Sequence, residues 1–202
     1  MASIYDLKPR FQALLRPLTR RLAAAGVTAN QVTVFAALLS VAVGLALAWR
    51  PGARGPLLLV PAVLFARMAL NAIDGMLARE HGQKSRLGAV LNELGDVIAD
   101  SALYLPFAVI PGLRTPLVVG IVLLAVIGAM TGVVGLQVGA SRRYDGPLGK
   151  SDRAFAFGLL ALLLGLGVAP GQWSDWYLHL VGLLAIVTII NRARRALAEG
   201  AA

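Results

Sequence analysis

The feature that most constrains this chain is a succession of apolar runs, at residues 32–49, 57 to about 74, 87–110, 117–140, 154–169 and 178–190, parted by short polar or Gly/Pro-rich connections. A helix needs about 20 apolar residues to cross the hydrocarbon core of a bilayer. With 58% hydrophobic and only 14% charged residues, the chain has no polar surface sufficient to enclose so much apolar helix in water. The pattern predicts an all-α integral membrane protein, a six-transmembrane-helix bundle with an N-terminal interfacial amphipathic helix. A single membrane domain, 1–202, then divides into a cytoplasmic amphipathic segment (1–31), the bundle (32–190) and a cytoplasmic tail (191–202).

In the N-terminal segment Ile4, Tyr5, Leu7, Phe11, Leu14, Leu15, Leu18 and Leu22 interleave with Lys8, Arg10, Arg16, Arg20 and Arg21. Such a helix lies in the interface with its cations toward anionic headgroups. Pro9 and Pro17 interrupt the period and leave a flexible basic tail as the alternative. No short apolar core followed by a small-residue processing site is present, so the segment reads as mature sequence. Thr28-Ala-Asn-Gln31 offers capping residues ahead of the first long run.

The formal net charge of +9 does not indicate nucleic-acid binding, because the cations cluster between apolar runs. Fifteen of the nineteen Lys and Arg fall in the N-terminus, residues 79–86, residues 141–153 and the C-terminus; the alternate loops hold Arg50, Arg54 and Arg114. The bias predicts a multi-pass protein of a bacterial-type inner membrane with both termini cytoplasmic, and Trp49, Trp173 and Trp176 read as interfacial belt residues.

One stretch breaks the greasy pattern: residues 71–100, NAIDGMLAREHGQKSRLGAVLNELGDVIAD. Ionisable residues within spanning helices are costly and point to function. Asn71, Asp74, Gly75 and Ala78 share one helical face, and Gly88, Asn92, Asp96 and Asp100 recur every four residues on the next segment. At about 100° per residue, Glu93 falls on the flank of the Asp96 sector, as does Asp100. Clustered carboxylates in a low-dielectric setting are relieved by a proton, water or a cation. With no cysteine and only two histidines, a metal would sit on oxygen, which suits magnesium, manganese or calcium. The small residues Gly75, Ala78 and Gly88 let a base or phosphate approach the backbone.

The stretch resembles the signature of the CDP-alcohol phosphotransferases (CDP-alcohol phosphatidyltransferases), D-x-x-D-G-x-x-A-R, eight residues, then G-x-x-x-D-x-x-x-D. Asp74, Gly75, Ala78, Arg79, Gly88 and Asp96 match in register, whereas the first and third aspartates of the pattern are Asn71 and Asn92 here. The resemblance implies a membrane enzyme of phospholipid synthesis with a cytoplasmic active site. It would transfer a phosphatidyl group from CDP-diacylglycerol to the hydroxyl of a small alcohol acceptor and release CMP. It implies one or two divalent ions, Mg2+ or Mn2+, and a homodimer. By the same resemblance Asp74 and Asp96 are catalytic, with Asp96 the general base. Asn71, Asp74, Asn92 and Asp96 are the metal ligands, to which Glu93 and Asp100 are added as flanking candidates able to restore charge. Gly75, Ala78, Arg79 and Gly88 hold the CDP moiety.

A second cluster, Arg142, Arg143, Lys150 and Arg153, lies in the polar segment 141–153. It reads either as a phosphate site for the acceptor or lipid, with glycerol 3-phosphate the first expectation, or as plain positive-inside topology. Arg67, one turn before Asn71, reads as a counter-charge, with Glu93 or Asp100 as its partner or else facing a water-filled vestibule. A catalytically silent membrane scaffold, favoured by the two asparagines, and an ion-coupled transporter are the alternatives to an enzyme.

Overall fold

The structure, a computed structural model, describes the backbone of residues 4–200 and the side chains of residues 9–200. Among these, all regular structure is helical: α1 (Ile4–Ala24), α2 (Ala29–Trp49), α3 (Arg54–Glu80), α4 (Arg86–Tyr104), α5 (Thr115–Val134), α6 (Lys150–Gly165) and α7 (Gln172–Gly200), with 3-10 turns at Leu105–Val109 and Gly135–Val138.

The local sequence accounts for the boundaries. Thr28 and Gln31 form a reciprocal cap at the start of α2, the Thr28 N–H donating to Gln31 Oε1 (2.9 Å) and the Gln31 N–H to Thr28 Oγ1 (3.3 Å). Ser85 caps α4 by accepting from the Gly88 N–H at 2.9 Å. The third apolar run was expected to stay helical to Ile110, yet α4 ends at Tyr104, where Pro106 enters a 3-10 turn. Likewise α5 gives way at Val134 to a 3-10 turn closed by Gly139 at φ 82°, short of the expected Ala140. Conversely α7 runs on to Gly200 through the segment expected to be a tail, burying Arg192 and Ala196; residues 201 and 202 lie outside the described residues.

Each of the six apolar runs contains a helix, but among the described residues four helices are long and apolar enough to cross a membrane: α2, α3, α5 with its 3-10 extension, and α7. Charges at Arg86, Glu93, Asp96 and Asp100 keep α4 out of that set. The 16 residues of α6 rise only about 24 Å, less than a hydrocarbon core of about 30 Å. In the four apolar helices no more than 33% of the residues of the span are buried, so Phe35, Leu38, Leu45, Leu123 and Leu183 point outward. Lipid is the environment that accommodates such surfaces.

The chain forms two compact units, residues 1–41 with 63–99, and residues 42–62 with 100–202. In the first, Ala29, Val32, Ile73, Met76 and Leu77 make a buried core, against which Leu15, Leu22 and Ala23 of α1 pack. That packing accompanies a continuous α1 despite Pro9 and Pro17. Phe11 meets Phe65 edge to face at 6.3 Å, and Arg16 pairs with Glu80 at 3.0 Å. The side chains of Ile4, Tyr5, Leu7 and Lys8 lie outside the described residues.

The second unit uses small residues for close helix approach. A Cβ on Gly44 of α2 would fall 2.0 Å from the Ala102 carbonyl oxygen of α4, so only glycine fits. Gly128 and Gly182 let α5 and α7 come together, a Cβ at each meeting Ile189 and Ile121 at 3.5 and 3.6 Å. Tyr104 stacks on Phe157 at 4.1 Å, and Phe107 meets the same ring edge-on at 5.4 Å.

Candidate active site

The polar stretch occupies the C-terminal part of α3 and the N-terminal part of α4, and through Asp96 it belongs to the first unit. Helical periodicity places Asn71, Asp74 and Ala78 along one face of α3, with Asp74 buried. A buried carboxylate needs hydrogen-bond partners. Thr33 of α2 supplies one, its Oγ1 lying 2.8 Å from Asp74 Oδ2 and also 3.0 Å from the Ala29 carbonyl. The hydroxyl carries one proton, and the charged acceptor is the stronger of the two.

On α4, Asp96 is partly exposed and faces the buried guanidinium of Arg67, Nη2 to Oδ1 4.0 Å. Arg67 thus links α3 to α4 as a counter-charge facing Asp96. Thr33 bridges from the other side, since a Cβ on Gly95 would meet its methyl at 3.7 Å. Asn92 is exposed, and Asn71 and Glu93 are half-buried.

The glycines of the stretch are places of close approach. A Cβ on Gly75 would lie 3.0 Å from a guanidinium nitrogen of Arg79, whose side chain folds back over that glycine. A Cβ on Gly88 would come within 2.8 Å of Asn30 Oδ1. Gln83 fixes the α3–α4 connection to the start of α2, accepting from the Ala29 N–H at 2.7 Å and donating to the Val27 carbonyl at 3.4 Å. Thr33 and Gln83 escaped the sequence reading. Thr33 is one hydroxyl inside an apolar run, one turn beyond the α2 cap, and Gln83 sits in a connection that reads only as polar.

Two carboxylates and two amide oxygens are a chemically sound donor set for one hard divalent ion. Among the described residues, however, no three His, Asp or Glu side chains gather in a way that could hold a metal. These four side chains carry two formal negative charges, against four for a pattern of four aspartates.

The second unit contains the other candidates. Asp100 is buried against Arg153, Nη2 to Oδ2 3.0 Å, each side chain 8% exposed, so its carboxylate is engaged by a cation. Arg143 pairs with Asp145 at 2.7 Å and with Glu199, and Arg195 holds the other oxygen of Asp145 at 2.8 Å. The Arg143 guanidinium, chiefly through its hydrogen bond, holds the Asp145 carboxyl below its ordinary range. Arg142 donates to the Arg143 carbonyl (2.8 Å) and lies over the Tyr144 ring at 4.6 Å. Lys150 opens α6. The buried Arg192, counted from sequence as part of a basic tail, instead donates to the Gly128 and Asp145 carbonyls at 2.6 and 3.1 Å. The cluster is thus a cross-braced loop as much as a positive patch.

With this geometry established, a model of the family described as CDP-alcohol phosphatidyltransferase matches residues 26–190. The chain belongs to the CDP-alcohol phosphatidyltransferase family. It is accordingly a transferase of substituted phosphate groups. It is 45% identical over 197 residues to the inner membrane protein YnbA of Escherichia coli, covering 96% of each chain. It is 29% identical over 193 residues to a phosphatidylinositol phosphate synthase of Mycobacterium marinum, covering 92% of this chain and 79% of the relative. The fold resembles the crystal structure of the Mycobacterium tuberculosis phosphatidylinositol phosphate synthase with CDP-DAG bound, with TM-score 0.75, 21% identity, and 89% and 92% of the two chains covered. A second structure of that synthase, with manganese and citrate, gives TM-score 0.74 at 23% identity over 89% and 87%. Together with its apolar helices, these relations make the chain a multi-pass integral membrane protein.

Proposed function

We propose that this chain transfers the phosphatidyl group of CDP-diacylglycerol to the hydroxyl of a small phosphorylated alcohol and releases CMP. The observation that carries the reading is the way Thr33 and Arg67 fasten the two halves of the motif, Thr33 on Asp74 and Arg67 on Asp96. Two acids held on facing elements with glycines beside them suit an anionic nucleotide and a nucleophile to be deprotonated.

In this reading Gly75, Ala78 and Gly88 admit the nucleotide to the helix backbone, and Arg79 takes a phosphate oxygen. Asp74, Asp96, Asn71 and Asn92 would hold a divalent ion, Mg2+ or Mn2+. When bound, the ion offsets charge on the pyrophosphate and the departing CMP. Asp96 takes the proton of the acceptor hydroxyl as its oxygen attacks phosphorus. Glu93 adds negative charge from the flank.

The acceptor's phosphate is assigned to the cations Arg142, Arg143, Lys150 and Arg153. Glycerol 3-phosphate is the first candidate, and the names of the mycobacterial relatives support a phosphorylated inositol as the second. The proposed setting is one membrane domain of six spans, α4 and α6 included, with α1 at the interface, both termini and the site cytoplasmic, and two copies per assembly.

The test is incubation of the purified protein with labelled CDP-diacylglycerol, Mg2+ or Mn2+, and a panel of alcohols with and without phosphate. CMP release with a phosphorylated polyol, abolished by Asp96→Asn, is the expected outcome. Absence of turnover with every acceptor in a folded preparation would favour a silent scaffold, and ion flux without turnover a transporter.

A further inference from the structure

We infer that the site holds a single divalent ion and that the guanidinium of Arg67 takes the place of a second one, an inference that rests on the transferase reading above. Four motif aspartates balance two divalent ions in formal charge. Here two of the four positions are the neutral Asn71 and Asn92, so the motif carries half that negative charge. A second divalent ion would leave the low-dielectric site with a large excess of positive charge.

The chain has already placed a cation at this site. Arg67 is 4% exposed, sits one turn before Asn71 on α3, and directs Nη2 to Asp96 Oδ1 at 4.0 Å. A permanently charged group in that position lowers the affinity of its neighbourhood for further cations. It also supplies what a second ion would supply beside Asp96: a fixed positive charge facing the carboxylate oxygen.

The test is titration of the purified full chain in detergent with Mn2+ in the presence of CDP, read by calorimetry and by electron paramagnetic resonance. One Mn2+ per chain with an isolated mononuclear spectrum is expected. Asn71→Asp combined with Asn92→Asp should add a second ion and a spin-coupled signal, and adding Arg67→Met should tighten binding by roughly tenfold or more. Arg67→Lys keeps the charge and should keep the single ion, which guards against a Met variant that does not fold. Two coupled ions in the unmodified chain, or no Mn2+ bound at saturating CDP, overturns the inference. A single ion with no CMP release for any acceptor leaves the inference standing and overturns the transferase reading instead.

Discussion

Removing Arg153 alone should destabilise the protein severely, and removing Asp100 with it should largely restore stability. The two side chains are each 8% exposed and their charged atoms lie 3.0 Å apart. At an effective dielectric constant of about 20, unit charges at that separation attract by about 5 kcal/mol, most of it offset by the cost of taking both out of water. Deleting one partner removes the attraction and leaves the other charge buried, which costs about 3–5 kcal/mol in comparable pairs. Arg153→Met and Asp100→Leu should each lower the thermal midpoint in detergent by about 6–20 °C for a chain of this size. The double variant replaces the pair by apolar groups and should return to within about 1 kcal/mol of the parent. The assay is a double-mutant cycle by thermal or chaotrope unfolding. Additive losses in the double variant, or an Arg153→Met protein as stable as the parent, would refute the claim that Arg153 is first the counter-ion of Asp100.

Two further outcomes are expected. Thr33→Val keeps the shape of the side chain but removes the 2.8 Å hydrogen bond to Asp74, and supporting contacts of this kind are worth about 10–100-fold in metal affinity. Mn2+ titration should show that loss, with Thr33→Ser close to the parent; equal affinity for Thr33→Val would remove Thr33 from the site. The Asp145 carboxyl is held below its ordinary range chiefly by the hydrogen bond from Arg143, so its contribution to stability is complete above the unfolded carboxylate value of about 3.9 and fades as pH falls through the folded one. The difference in thermal midpoint between the parent and Asp145→Asn should therefore be constant at neutral pH and shrink below about pH 4; a difference that does not change with pH would contradict this.

How much of this could be read without coordinates depended on the range of the physics involved. Helix positions came from apolar run length and from local caps such as Thr28 with Gln31, all decided within a few residues. The motif was equally legible, because a helix of fixed pitch puts Asn71, Asp74 and Ala78 on one face of α3 and Gly88, Asn92 and Asp96 on one face of α4. The sequence also carried the family relation through that motif, and the family model matches residues 26–190.

Partnerships across the chain were a different matter, because they depend on which faces meet. By sequence Arg67 had Glu93 or Asp100 as candidate partners; packing also sets it 4.0 Å from Asp96, and sets Asp100 against Arg153, fifty-three residues away. Thr33 is one hydroxyl in an apolar helix until α2 lies against Asp74. Arg192 looked like part of a solvated tail, and became buried only because α7 continues past Asn191 to cap the carbonyls of Gly128 and Asp145. Spacing along one helix is set by the geometry of the backbone, so the sequence alone determined the motif and its acids. The counter-charges that face those acids are set by contacts between segments distant in the chain, and only the tertiary structure decided them.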